Sequence, residues 1–88
     1  MQYKKELTVT KNGKREVYVY YVRKAYSENF SCEMYNVGII SEGKATEIED
    51  FSLTENEATL FCDYLYENNA TWKNIFLMGE EFILNSGI

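Results

Sequence analysis

YKKELTVTKNGKREVYVYYVRKA, residues 3–25, is the stretch whose reading decides the fold. Tyr3, Lys5, Leu7 and Val9 alternate with Lys4, Glu6, Thr8 and Thr10, the period of two that a strand imposes. Asn12-Gly13 then interrupts the run. A two-residue type I′ turn needs positive φ at both central positions, which Asn and Gly tolerate best, so the pair reads as a hairpin turn. Arg15 to Ala25 becomes the returning strand, rich in the Val and Tyr that suit a pleated surface. A two-residue turn sets Lys11 opposite Lys14, Val9 opposite Glu16, Leu7 opposite Tyr18 and Tyr3 opposite Val22. One face of the hairpin is then Tyr3, Leu7, Val9, Tyr18, Tyr20 and Val22, the face expected to be buried.

The other face of the hairpin carries Val17, Val19 and Tyr21 beside polar residues of the first strand. A half-covered antiparallel sheet should be apolar on its core face only, so this strip calls for a covering element or a partner. Val17, Val19 and Tyr21 are therefore candidate partner-binding residues.

Outward from the hairpin, Ser27–Ser31 reads as a polar connection and Cys32–Ser41 as a third strand. Glu42-Gly43-Lys44 turns it into a fourth strand over Ala45–Asp50. Ile48 falls on the face of Tyr35, Val37 and Ile39 for either centring of that turn. Gly38 lies on the opposite face, at a point where backbone can approach closely. The period then lengthens to 3.6. Thr54-Glu55-Asn56-Glu57 is a capping box, opening a helix to about Glu67 with Ala58, Phe61, Cys62 and Leu65 on one face. Asn68-Asn69 closes it. Thr71 is expected to cap a second helix with Trp72, Ile75, Phe76, Gly79, Phe82 and Ile83 at helical spacing. Ser86-Gly87-Ile88 should fray. The expectation is a single α+β domain over residues 1–88, a four-stranded antiparallel meander with two C-terminal helices on one face.

Composition bounds the function. A chain of 88 residues supports one core, burying roughly 60–65% of its unfolded surface. With 45% apolar and 26% charged residues it has the balance of a soluble globular protein. It lacks an apolar run long enough to span a bilayer and an N-terminal secretory signal, so the cytoplasm is the expected compartment. There is no histidine, which removes the His-based triads, acid–base pairs and metal sets. Cys32 and Cys62 stand alone, without a CxxC, and read as reduced core thiols. No phosphate loop, nucleophile elbow or zinc motif occurs; the expectation is a non-enzyme that needs no cofactor or metal.

The net charge of −5 hides a split. Residues 1–27 hold seven basic groups against Glu6 and Glu16, and residues 28–88 hold twelve carboxylates against Lys44 and Lys73. Glu47, Glu49 and Asp50 are the densest carboxylates of the sheet. Glu47 and Glu49 should share a face and Asp50 should point away, so a three-oxygen cage for a cation is not expected. These three complete the candidate partner-binding set. The acidic balance opposes direct nucleic-acid binding. It admits an acidic surface that occupies the cationic groove of a nucleic-acid enzyme, as an inhibitor encoded by a phage or mobile element would.

Tyr35-Asn36-Val37-Gly38-Ile39-Ile40, the strand ending Ile48-Glu49-Asp50, the stretch from Leu65 through Asn68-Asn69-Ala70-Thr71, and Glu80-Glu81-Phe82 resemble a family of short uncharacterised Firmicutes proteins, a domain of unknown function. The resemblance covers roughly residues 15–84, with Trp72 standing where such proteins often have proline. It implies no activity, cofactor or catalytic residue. The reading of the sequence is thus a small non-enzymatic interaction or regulatory protein, with a protein partner or a second copy as its counterpart and the acidic inhibitor as the alternative.

Overall fold

A computed structural model describes residues 2–85; the expected fraying at Ser86-Gly87-Ile88 lies outside the described residues. Four antiparallel strands, β1 (Tyr3–Lys11), β2 (Lys14–Ser27), β3 (Cys32–Ser41) and β4 (Lys44–Ser52), form one sheet in sequence order. Two helices follow, α1 (Glu55–Glu67) and α2 (Ile75–Asn85). The architecture is the expected ββββαα.

The first hairpin has the register the sequence requires, with Tyr3 opposite Val22, Leu7 opposite Tyr18 and Lys11 opposite Lys14. Asn12 and Gly13 both take positive φ, 51° and 77°. The same geometry recurs at Glu42 and Gly43, φ 52° and 76°, which centres the second tight turn there and pairs Ser41 with Lys44. Glutamate is an unusual residue for a left-handed position. Its carboxylate is held in place from outside the turn, by Lys11 Nζ at 2.9 Å and by the Tyr18 hydroxyl at 3.3 Å.

Tyr18, Tyr20, Val22, Val37 and Ile39 from the sheet meet Ala58, Phe61, Cys62 and Leu65 of α1 in the core, all fully or almost fully buried. Thr54 caps α1, its hydroxyl accepting from the Glu57 amide at 3.3 Å. The reciprocal half of the expected box is replaced: the Thr54 amide donates to Ser52 Oγ at 3.0 Å. At the other end Asn69 is left-handed (φ 52°), and the amides of Asn69 and Ala70 return to the carbonyls of Tyr66 and Leu65, a Schellman closure. The chain beyond it is tied to the sheet. Tyr20 donates its hydroxyl to the Ala70 carbonyl at 2.8 Å, and the Trp72 amide donates to Ser41 Oγ at 3.0 Å.

The second helix corrects the sequence expectation. It starts at Ile75, not after a Thr71 cap. Asn74 supplies the carbonyl for the Met78 amide, and its side-chain oxygen accepts from the Thr71 amide. Tying Trp72 to the sheet keeps residues 72–74 out of the helix, so the inward face shifts to Ile75, Met78, Gly79 and Phe82. Phe76 and Ile83, expected inside, are exposed. Gly79 lets α2 approach β4 closely: a Cβ there would come 2.9 Å from Ile48 Cδ1, and the end of that side chain would have to shift. Its cost to helix propensity is offset by the close approach of α2 to β4.

Candidate interaction surfaces

The sheet face turned away from the helices holds all the residues singled out from the sequence. Tyr21, Gly38 and Glu47 form one row across β2, β3 and β4, since Tyr21 pairs with Gly38 and Gly38 with Glu47. With no side chain at residue 38, the Tyr21 ring lies across the gap and reaches Glu47; a Cβ on Gly38 would overlap the Tyr21 side chain at Cζ and the hydroxyl. The approach anticipated at Gly38 is thus made by a side chain, not by backbone.

Glu47 is the centre of this face. Arg23 grips it as a fork, Nη2 to Oε1 at 2.8 Å and Nε to Oε2 at 3.1 Å. The Tyr21 hydroxyl donates to Oε2 at 3.0 Å and Asn36 Nδ2 to Oε1 at 3.1 Å. The Arg23 hydrogen bonds, reinforced by those from Tyr21 and Asn36, hold the Glu47 carboxyl below its ordinary pKa. Burial first, then the bond to Glu47, pushes the Tyr21 hydroxyl up to about 12. Glu47 is consumed internally, and Tyr21 is only 8% exposed. Of the apolar strip, Val17 is exposed and Val19 half-buried.

Asp50 departs from expectation. Pairing between β3 and β4 shifts register between Tyr35 and Val37, where Tyr35 faces Ser52 and Val37 faces Ile48. Extra residues of β4 bulge there, with Asp50 at φ 54° and its amide donating to Asn36 Oδ1 at 2.9 Å. The bulge turns Asp50 so that it lines one cavity with Glu49. This cavity, of about 520 Å³, is also bounded by Arg23, Ser27, Glu28 and Asn36, and Asn29 closes on Asp50 Oδ2 at 3.2 Å. Glu28 is a carboxylate of this cavity that sequence reasoning missed. It sits in the β2–β3 connection, whose conformation no strand periodicity specifies. Among the described residues no group of three or more Cys, Asp or Glu side chains is placed to hold a metal ion.

A second surface was not anticipated. On α2, Phe76, Leu77 and Leu84 are 57%, 61% and 75% exposed. With Ile75, Met78 and Phe82 turned inward, this helix is apolar nearly all round, the pattern of a helix covered on both sides. Between it and β4 runs an apolar groove of about 190 Å³, lined by Ile48, Phe51, Phe76, Gly79 and Ile83 with Glu80 at its rim. The signal was present in Phe76-Leu77 and Ile83-Leu84, seven residues apart. Only the start of the helix at Ile75 shows that these pairs point outward.

The two cysteines are free: Cys62 is in the core, Cys32 half-buried at the start of β3. Burial pushes the Cys62 thiol up to about 12. No described helix is long and apolar enough to cross a membrane. The fold and these surfaces define a small α+β domain with a polar-locked sheet face and an open apolar helix. Compared with protein-family models, curated proteins and solved structures, the chain finds no match.

Proposed function

We propose that this protein is a non-enzymatic interaction domain that binds a protein partner or another copy through the outer surface of α2, in the cytoplasm. The observation that carries the reading is the exposure of Phe76, Leu77 and Leu84 on a helix whose other face is already packed. Leaving such side chains in water forgoes about 1.5–3 kcal/mol of burial for each. Tyr21 is withdrawn into the Glu47 network, so the Val17 and Val19 strip is the smaller candidate. Replacing Leu77 and Leu84 together by Asp should leave the circular dichroism spectrum intact and abolish association measured by sedimentation or affinity capture. Retained association, or loss only with Val19→Glu, would refute the α2 surface.

The acidic inhibitor reading keeps one observation in its favour, the cavity lined by Glu28, Glu49 and Asp50. Those carboxylates would meet the basic groove of a nucleic-acid enzyme, and inhibition would weaken steeply with added salt. Glu49→Lys should abolish such inhibition; inhibition indifferent to salt and to that change would end the reading.

A further inference from the structure

We infer that the occupant of the α2 surface is a second copy of this chain, docked about a two-fold axis with β4 antiparallel to its mate. The inference rests on the reading of α2 as a binding surface and names what binds there.

Three observations converge on the β4 side of the molecule. Among the described residues β4 ends the sheet and pairs only with β3, so its outer edge presents backbone donors and acceptors that no described strand pairs. The bulge that protects such edges begins only after Ile48, which leaves Lys44–Ile48 in regular register. The apolar groove between β4 and α2 opens beside this stretch; Phe76, one of its lining residues, is 57% exposed, and Leu77 and Leu84 are exposed on the same helix. Each copy therefore offers an edge, a groove and side chains to fill a groove, which a two-fold interface requires of one surface.

Area decides that helix and edge act together. The exposed parts of Phe76, Leu77 and Leu84 amount to a patch of about 300–400 Å². Doubled by symmetry, that falls short of the roughly 1,200 Å² of a specific stable interface. Helix-to-helix contact alone would not hold two copies. Adding the β4 edge and the groove supplies the remainder, together with backbone hydrogen bonds.

Charge decides in favour of self-association over a foreign apolar segment. Antiparallel pairing centred on Thr46 sets Lys44 of one copy opposite Ile48 of the other. Lys44 lies on the helix side of the sheet, its ammonium 4.6 Å from the centre of the Trp72 ring. Ile48 and Glu80 line the same groove. Lys44 thereby reaches Glu80 of the second copy, and the symmetry makes the pair twice. The residue that complements the acidic rim is thus carried on the same short edge, at the separation that antiparallel pairing brings together.

Sedimentation equilibrium of the full chain tests this. A concentration-dependent monomer–dimer equilibrium is expected, abolished in Leu84→Asp with an unchanged thermal melt. Lys44→Glu should weaken the dimer about tenfold, the combined worth of two exposed ion pairs. The swap Lys44→Glu with Glu80→Lys should restore it, which a loss of the Trp72 contact alone would not allow. A dimer indifferent to Leu84→Asp, or not rescued by the swap, overturns the proposal. So does a monomer at every concentration. Binding of the apolar dye anilinonaphthalene sulfonate then separates the two failures. A monomer whose dye binding is lost in Leu77→Asp keeps α2 as an open surface for another protein. A monomer that binds none overturns both readings.

Discussion

Tyr21 occupies the space that a side chain at residue 38 would need, and from there its hydroxyl donates to Glu47 at 3.0 Å. One missing Cβ on β3 lets a side chain of β2 donate a hydrogen bond to one of β4 across it. The outward sheet face is closed by this means without a covering helix.

Gly38→Ala should therefore displace the Tyr21 ring and break its bond to Glu47, destabilising the fold by about 1–3 kcal/mol. Tyr21→Ala should remove the conflict, so the glycine substitution becomes nearly neutral in that background. A double-mutant cycle in urea measures the coupling. Additive effects would show that the ring does not depend on the glycine.

Glu47 makes stability depend on acid. Its pKa is lowered in the folded state, chiefly by Arg23, so its contribution is present above the unfolded carboxylate value. It is lost as pH falls through the folded value. Glu47→Gln should cost most near neutrality, and the gap between wild type and variant should narrow as pH falls below the ordinary carboxylate range. Urea midpoints across that pH range give the comparison; a gap that widens on acidification would contradict the assignment.

Tyr20 ties the segment after α1 to the sheet through the Ala70 carbonyl. Tyr20→Phe keeps the ring but leaves that buried carbonyl without its donor, a loss of about 1–3 kcal/mol. Hydrogen exchange should quicken from Ala70 to the start of α2. Unchanged protection there would mean that the Ser41 bond to the Trp72 amide suffices.

The two thiols should differ in reactivity. Cys62 is fully buried with its pKa raised by desolvation to about 12, while Cys32 is half-buried on a strand. A disulfide reagent at mildly alkaline pH should titrate Cys32 promptly in the native protein, and Cys62 only after denaturation. Rapid reaction of both would show a core that opens readily.

The sequence by itself determined the elements that rest on local physics. Asn12-Gly13 set the β1–β2 register because a two-residue turn allows no other pairing. Thr54 marked the start of α1, and Asn68-Asn69 marked its end, because caps act within one turn of the backbone. Tertiary structure alone decided the rest. The β2–β3 register follows from core packing and not from its loop, and only that register lines Tyr21, Gly38 and Glu47 in one row. The bulge that turns Asp50 into the Glu49 cavity has no local signal beyond a residue that tolerates positive φ. The start of α2 was moved to Ile75 by a hydrogen bond between Trp72 and Ser41, 31 residues apart. That one long-range contact rotates the helix's apolar pattern and leaves Leu77 and Leu84 facing out, since a helix's inward face is set by what it docks against.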